Sequence, residues 1–280
     1  TVLAHLWHIV PGMYCERRAS EQDNPYAYGR IQTIANHLHW GGGAWNDSRN
    51  PSSRKPKDNA AGNDRHDDHN EEYQRHSVAG GGHAHCGAMV YLGDNWPAKY
   101  RGTFFTNNLH GNRVNNDRLE PKRSGYVATH ASDFLFGNDP WFRGMSIKYG
   151  PDGGVYVSDW HDFGECHDSD GSHRSSGRIY KVTFGQPTIE PFDLQTMSNL
   201  ELVKLQTHPN EWFVRHARRI LAERAARGVD VSDGVEPLQR MLRDDENVVH
   251  KLRAVWALWG TNQMTAEQLK QLLSHDSPYI

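Results

Sequence analysis

The stretch that most constrains the fold is residues 141–184, whose centre is the turn sequence Tyr149-Gly150-Pro151-Asp152-Gly153-Gly154. The runs on either side, Gly144–Tyr149 and Val155–Asp159, alternate their side chains as two antiparallel strands do. Proline fixes φ and glycine accepts a positive φ, so the sequence between the runs suits a tight reversal. A polar loop follows, and Arg178–Phe184 is then predicted as a third strand. Strand, turn, strand, acidic loop and strand is the layout of one β-propeller blade.

A second blade is predicted just before this one. Four runs separated by Gly, Asn and Pro turns have the composition of strands: Ala88–Leu92, Thr103–Asn107, Arg113–Leu119 and Tyr126–Phe136. Repeats of about 40 to 50 residues that each hold several strands indicate a propeller. We therefore predict that residues 1–185 are mainly β and form the C-terminal part of a partial β-propeller with about two recognisable blades.

The first part of the chain is less regular. Leu6–Val10 reads as a strand, and the helical spacing of the apolar residues in 31–40 (Ile31, Ile34, Ala35 and Leu38) is compatible with a short helix. Residues 46–77 contain almost nothing apolar. Such a stretch cannot bury enough surface to offset the entropy lost on ordering, so it is predicted to be a mobile loop.

The pattern becomes helical after a proline-marked linker at 186–199. Two faces of helical period are predicted, one with Val214, Ala217, Ile220 and Leu221, the other with Val248, Leu252, Val255 and Leu258. Thr265 and Gln268 form a capping box for a last helix that carries Leu269, Leu272 and Leu273. Residues 200–280 are therefore predicted to be antiparallel helices without strands.

Three segments of this helical part resemble one another: HPNEWFV, DDENVV and HDSPYI. Their apolar anchors are Val214, Val249 and Ile280, which stand 35 and then 31 residues apart (249 − 214 and 280 − 249). This repetition favours a HEAT-type array, an architecture that usually serves as a scaffold or binding surface. Thr1–Val10 reads as the middle of a strand and Ser277-Pro278 as the start of a helix. We therefore expect a segment of a longer protein with a truncated array.

Composition excludes several classes of function. The net charge of −3 gives no reason to expect a nucleic acid or an anionic membrane as partner. No apolar run approaches the roughly 20 residues of a membrane-spanning helix, and mean hydropathy is −0.80. Phosphate-binding glycine loops and the Gly-x-Ser-x-Gly elbow of serine hydrolases do not occur.

The cysteines support neither a disulfide framework nor a haem. Cys15, Cys86 and Cys166 are too few and too scattered for such a framework. Cys166-His167 ends like a c-type haem site, but Phe163 stands where the first cysteine is required. Covalent haem is therefore ruled out in this segment.

Histidines and carboxylates are candidate metal ligands. The two His-x-His pairs, His37 with His39 and His83 with His85, would each place two imidazoles on one face of an extended strand. Further histidines lie in loops beside carboxylates, namely His110, His161, His167 and His173. Such groups suit zinc, copper or iron. The alternative is that they are loop and core histidines held by hydrogen bonds.

An acidic cluster suggests calcium. Five carboxylates crowd twelve residues: Asp159, Asp162, Glu165, Asp168 and Asp170. Calcium takes six to eight oxygen ligands, and Asp168-Ser169-Asp170-Gly171 resembles the start of a calcium loop. A solvated acidic loop explains the same residues equally well.

The positions of two arginines predict an anion-binding site. Arg143 begins a strand near the expected central channel, and Arg113 follows His110 in the neighbouring blade. Equivalent loops of adjacent blades open on one face, so we predict that these arginines converge there with His110 and His161. The arginines would then bind a carboxylated cofactor, and a histidine would act as the catalytic base. The alternative is that these groups pair with Asp159, Asp162 and Asp117 and hold the loops in place.

Two stretches resemble a known family. They are HAHCGAMVYLGDNWPAKYRGTFFTNNLHGNRVNNDRLE (83–120) and WFRGMSIKYGPDGGVYVSDWHDFGECHDSDGSHRSSGRIYKVTFG (141–185). Both are similar to planctomycete-type membrane-bound dehydrogenase proteins. The family combines a propeller like that of glucose/sorbosone dehydrogenases with HEAT-like repeats, and often with a c-type cytochrome domain. The resemblance covers most of residues 1–185 and, more loosely, the helices.

The resemblance implies a function. An arginine at the position of Arg143 contacts pyrroloquinoline quinone in the sugar dehydrogenases, whereas Trp141 stands where a second arginine is typical. It implies oxidation of a sugar or alcohol with this quinone and Ca²⁺, electrons passing to a haem domain elsewhere in the full-length chain. It also implies a periplasmic or cell-envelope location. The alternative is a non-catalytic propeller–solenoid module that binds glycan or protein at the cell surface, which the loss at Trp141 favours.

Overall fold

The computed structural model describes residues 5–6, 35–36, 85–109, 112–122, 125–139, 141–162 and 175–280. The predicted loop 46–77 lies outside these residues, as do many of the predicted ligands: His37, His39, His83, His110, Glu165, Asp168, Asp170, His167 and His173. Two of the three cysteines, Cys15 and Cys166, also lie outside them.

The chain divides into two compact units. The sheet unit comprises Thr1–Tyr91, Ala98–Lys148 and Val155–Val182. The helical unit comprises Leu92–Pro97, Tyr149–Gly154 and Thr183–Ile280.

Antiparallel strands build the sheet unit. In chain order they are β1 (His5–Leu6), β2 (Ala35–Asn36), β3 (His85–Val90), β4 (Phe104–Asn108), β5 (Arg113–Lys122), β6 (Gly125–His130), β7 (Leu135–Phe136), β8 (Gly144–Tyr149), β9 (Val155–Asp159) and β10 (Arg178–Val182). One sheet has the order β3-β4-β5-β6, with β7 added to β5, and another has the order β10-β9-β8. β1 pairs with β2. Antiparallel sheets in the first part of the chain are therefore confirmed.

The predicted strand bounds agree best with the structure on either side of the Gly-Pro-Asp-Gly-Gly turn. β8 and β9 begin and end at the predicted residues, whereas β10 ends at Val182 rather than Phe184. The run Tyr126–Phe136 is divided into β6 and β7. In the segment between these two strands, the amides of Ala131 and Phe134 still donate to carbonyl oxygens of β5. The short helix considered for 31–40 is wrong at Ala35–Asn36. Those residues form β2, since pairing with Leu6 and His5 of β1 overrides the local helical spacing.

Close packing joins the two larger sheets within the sheet unit. Gly87 lies at a bulge in β3 and has a φ of +62°. A Cβ atom added there would come within 2.8 Å of the carbonyl oxygen of Met145 in β8. Only glycine accepts both the left-handed conformation and so close a backbone. Phe105 and Val114 are fully buried in the same unit, and Phe105 meets Phe134 edge to face at 5.2 Å.

Apart from Tyr149 at the end of β8, the helical unit contains no strand residue. It contains five α-helices: α1 (Asn199–Lys204), α2 (Glu211–Ala226), α3 (Val235–Asp244), α4 (Val248–Gly260) and α5 (Ala266–Leu272). The C-terminal helical part is thus confirmed. The predicted α2 face is buried throughout, and the Thr265–Gln268 capping box is present. On α4 only Leu258 of the predicted face is buried. Arg253, Ala254 and Ala257 are buried instead, because the core lies on a neighbouring face of that helix.

A two-step turn recurs at the three aligned segments. In each turn, the side chain of a first residue accepts a hydrogen bond from the backbone amide of the residue two positions later. The side chain of that second residue then accepts a hydrogen bond from the amide two positions after it. The three sets are His208–Asn210–Trp212, Asp245–Asn247–Val249 and His275–Ser277–Tyr279. α2 and α4 follow the first two turns. They run in the same direction, since Glu211 at the start of α2 contacts Arg253, whereas Ala222, further along α2, faces Gly260 at the end of α4.

The N-terminus of α2 is fixed by non-helical residues of its own unit. Nδ2 of Asn210 donates to the carbonyl oxygens of Gly150 and Pro151 at 3.1 and 3.0 Å. The amide of Glu211 donates to the carbonyl of Leu92 at 3.0 Å. Segments 92–97 and 149–154 are therefore built into the helical unit. No helix in the described part of the chain is both long and apolar enough to cross a membrane.

Candidate functional site

The carboxylate of Asp159 organises the residues that the sequence singled out around β8 and β9. Its Oδ1 accepts the backbone amides of Arg143 and His161, both at 2.8 Å. Its Oδ2 accepts Nε and Nη2 of Arg178 at 3.3 and 3.2 Å. The side chain of Asp159 is fully buried. Both oxygens are therefore occupied by N–H donors from three parts of the chain.

Arg143 is enclosed rather than presented to solvent. It is 0% exposed, and its Nη1 donates to the carbonyl oxygen of Phe142 at 2.9 Å. The same carbonyl accepts Nδ2 of Asn112 at 2.8 Å, so the loop before β5 meets the start of β8 here. Asp159 holds Arg143 through the backbone amide of the arginine, whereas the sequence suggested an ion pair between the two side chains.

His161 lies beside a second carboxylate. Its Nε2 is 3.2 Å from Oδ2 of Asp139, and the same oxygen accepts Nη2 of Arg178 at 2.7 Å. The ring centroid of Trp141 lies 5.4 Å from that of His161. His161 has a φ of +53°, a conformation that costs a non-glycine residue free energy and is held by its surroundings. An aspartate that orients an imidazole is the arrangement of a general base.

Burial and the contacts within this cluster shift the pKa values of three groups. Burial alone would raise the pKa of Asp139, but the hydrogen bond from Arg178 and the amide of Trp141 hold it below its ordinary value. Burial opposes the charged form of Arg178, yet the bond to Asp139 raises its pKa overall. Burial raises the pKa of Tyr180, whose ring Arg178 covers at 5.3 Å. The cluster therefore keeps Asp139 ionised and Arg178 protonated.

Arg113 belongs to a neighbouring cluster on β5. Its Nη1 lies 2.6 Å from Oδ2 of Asp133, and Nδ2 of Asn115 donates to the other oxygen of Asp133 at 2.6 Å. The guanidinium lies 5.1 Å from the ring centroid of Phe136, and Arg113 is 1% exposed. The predicted cofactor arginine is thus a buried member of an ion pair.

The predicted metal ligands are spread over several places. Asp162 is buried, and its amide donates to the carbonyl of Trp141. His85 opens β3, opposite Asn108 of β4. Within the described residues, no group of three or more His, Cys, Asp or Glu side chains is arranged to hold a metal ion. Asp159 also does not fit a calcium ligand, because arginine and amide donors occupy both of its oxygens.

Comparison with protein families matches residues 44–185, just over half of the chain, to DUF7133, which is described as a domain of unknown function. The chain belongs to the DUF7133 family. No curated protein and no solved structure matches it. The matched range includes both sites: the Asp159 cluster, which comprises Asp139, Arg143, Asp159, His161 and Arg178, and the Arg113–Asp133 pair. Both are therefore features of the DUF7133 region.

Two residues of the DUF7133 region that carry the cluster were missed from sequence, Asp139 and Arg178. Arg178 is the cross-strand partner of Asp159 in the β9–β10 register. An arginine opening one predicted strand and a carboxylate ending the strand before it would have indicated this pair. Asp139 accepts the amide of Trp141 at 2.9 Å. The Asp-Pro-Trp sequence is a local signal of such a turn, but its contact with His161 has no local signal.

Proposed function

We propose that this chain joins β-propeller blades to HEAT-type helical repeats and works as a binding module rather than as a quinone-dependent oxidoreductase. The observation that carries the proposal is the enclosure of Arg143, which is 0% exposed and bonded to the carbonyl of Phe142. A residue that binds a dissociable cofactor needs donors that point into a cavity.

The architecture in this proposal has its own support. Strands that are consecutive in the chain pair as antiparallel neighbours from β3 to β6 and from β8 to β10, as they do in propeller blades. The recurring two-step turn and the parallel course of α2 and α4 are typical of stacked helical repeats. Stacked repeats commonly present a continuous binding surface.

The residues present do not fit pyrroloquinoline quinone and calcium. The carboxylates of the quinone require cationic partners, but Arg143 is enclosed and Arg113 is paired with Asp133 at 2.6 Å. Calcium requires oxygen ligands, but N–H donors occupy both oxygens of Asp159. We therefore derive no oxidation step through this cofactor.

The test is reconstitution of the protein with quinone and calcium. Calorimetric titration is followed by reduction of an electron-accepting dye in the presence of a panel of sugars and alcohols. A quinone-dependent sugar dehydrogenase treated in parallel shows that the reagents are competent. The proposal predicts no saturable quinone binding and no substrate-dependent dye reduction. Stoichiometric binding together with turnover would overturn it.

A second candidate function rests on the Asp139–His161 contact. Here the chain oxidises a sugar or alcohol with an external two-electron acceptor of the dye's class: His161 takes the hydroxyl proton while Asp139 orients the ring, and the hydride of the carbinol carbon passes to that acceptor. Nδ1 of His161 has no hydrogen-bond partner among the described residues, but it is buried, so this candidate requires the substrate to displace the residues that cover it. If dye reduction is found, His161→Gln is expected to lower turnover by about 10²–10⁴-fold with an unchanged melting temperature. Equal turnover in the variant would exclude His161 as the base.

A further inference from the structure

The helical unit exposes arginine and tryptophan side chains where α2 and α4 lie side by side. We call this surface the Arg–Trp ridge, and it comprises Arg215, Arg218, Arg219, Trp256 and Trp259. Arg215 and Arg219 have side chains 57% and 60% exposed, and Trp256 and Trp259 are 46% and 59% exposed. None of these residues is part of the Asp159 cluster.

Positive charge on the ridge is not balanced by the ion pairs around it. Arg253 takes one oxygen of the buried Glu211 at 2.5 Å, and Arg215 lies 3.7 Å from the other. Glu223 likewise serves both Arg219 and Arg227, at 3.4 and 3.9 Å. Two carboxylates thus face four guanidiniums before Arg218 is counted.

Arg218 lies between these pairs without a carboxylate of its own among the ion pairs of α2. Its Nη1 is buried and has no acceptor among the described residues. Burial lowers the pKa of Arg218, and the nearby Arg215 and Arg253 act in the same direction against the attraction of Glu211. A partly buried cation beside an excess of like charge is stabilised when an anion binds.

The aromatic half of the ridge adjoins the cationic half directly. The guanidinium carbon of Arg218 lies 5.1 Å from the ring centroid of Trp256. Trp259 follows three residues later, so the two indoles have neighbouring Cβ atoms about 5–6 Å apart on the helix surface. Exposed indoles are costly unless a partner covers them, and their flat faces stack well on the C–H faces of sugar rings.

We propose that the Arg–Trp ridge binds a polysaccharide that carries carboxylate or sulfate groups. Its anionic groups pair with Arg215, Arg218 and Arg219, while its sugar rings cover Trp256 and Trp259. A neutral glycan would use the indoles alone and an acidic peptide would need the arginines alone, so the two together favour an anionic glycan. The assignment rests on the proposed binding function and names its ligand class.

The test uses three defined polymers on the whole chain: dextran sulfate, uncharged dextran and poly-L-glutamate. Binding is followed by tryptophan fluorescence and by calorimetry at low and high salt. We expect saturable binding of dextran sulfate that weakens with salt, with dextran and poly-L-glutamate at least tenfold weaker. Arg218→Gln and Trp256→Leu should each weaken dextran sulfate binding by about tenfold, in keeping with the loss of a charge-assisted bond or a buried aromatic anchor.

A matched control separates the ridge from general attraction to polyanions. Arg240 on α3 has a side chain 66% exposed and a similar ion pair with Glu236 at 3.7 Å, so Arg240→Gln removes the same charge elsewhere and should leave binding unchanged. If Arg218→Gln does not fold, the exposed Arg219→Gln replaces it. Equal weakening by Arg240→Gln and Arg218→Gln overturns the proposal, as does absence of binding. If poly-L-glutamate binds as tightly as dextran sulfate and Trp256→Leu does not weaken its binding, the ligand is an acidic peptide instead.

These outcomes are distinguishable from failure of the proposed function. Quinone binding with turnover would contradict the binding-module proposal whatever the ridge binds. Absence of dextran sulfate binding would remove the ligand assignment and leave the quinone result unaffected.

Discussion

The carboxylate of Asp159 accepts the backbone amide of Arg143 at 2.8 Å, so the end of β9 fixes the start of β8. The same oxygen atom accepts the amide of His161. One buried carboxylate therefore sets the backbone at both positions that the sequence marks as cofactor and catalytic residues. Their placement is a property of the sheet unit's own hydrogen bonds.

Replacement of Asp159 is the first test of this relationship. Asp159→Ala leaves two buried amides and Arg178 without their acceptor, and should lower the free energy of unfolding by about 2–4 kcal/mol. Asp159→Asn keeps one acceptor oxygen and should cost less. Urea denaturation gives both values. Glu190→Gln, at an exposed position, should change little, and an Asp159→Ala variant as stable as this control would contradict the role given to Asp159.

Acid should remove the contribution of Asp139. Its pKa in the folded protein lies below the ordinary 3.8 because Arg178 and the Trp141 amide outweigh the effect of burial. A carboxyl whose folded pKa is lowered contributes stability that is present above its unfolded pKa and is lost as the pH falls through the folded pKa. The stability difference between the wild type and Asp139→Asn should therefore shrink below about pH 4.

Urea denaturation across that pH range measures this difference. The exposed Asp276→Asn serves as the control, since its site carries no such network among the described residues. A difference between the wild type and Asp139→Asn that stays constant from neutral to acid pH would show that ionised Asp139 does not stabilise the fold.

Gly153 and Gly185 form a matched pair in the helical unit. Both have positive φ, +71° and +67°, so alanine carries a similar conformational cost of about 1–2 kcal/mol at each. A Cβ atom at Gly153 would lie 2.5 Å from the backbone nitrogen of Asn95, whereas nothing lies within 4 Å at Gly185. Gly153→Ala should therefore lower the melting temperature clearly more than Gly185→Ala. Equal losses would show that segment 149–154 does not pack against segment 92–97.

The sequence predicts the fold where local chemistry decides it. The turn at 149–154 sets the bounds of β8 and β9, and the Thr265–Gln268 box sets the start of α5. Prediction is wrong where distant pairing decides, as at Ala35–Asn36, which pairs with β1. On α4 the apolar period missed Arg253, since its burial is explained by distant partners: Glu211, 42 residues earlier, and the carbonyl oxygens of Gln206 and His208.

The candidate site was predictable in part. Arg143 and His161 were selected by their positions next to strands, and Asp159 indeed joins their amides. The surroundings of Arg143 could not be read from sequence, because the carbonyl of Phe142 that accepts its Nη1 is also held by Asn112, which lies 30 residues earlier in the loop before β5. Asp139 was missed for the same reason: its partners His161 and Arg178 lie 22 and 39 residues away.

Chemical labelling of arginines tests the enclosure of Arg143 most directly. The folded protein is treated with phenylglyoxal, and the extent of modification at each arginine is read by peptide mass spectrometry. Arg215 and Arg178 have side chains 57% and 38% exposed, whereas Arg143 and Arg113 are 0% and 1% exposed. We expect Arg143 to react at least about tenfold more slowly than Arg215 in the folded protein, and at the same rate in urea. Modification of Arg143 as fast as Arg215 without urea would contradict the enclosure, and with it the case against a cofactor at that residue.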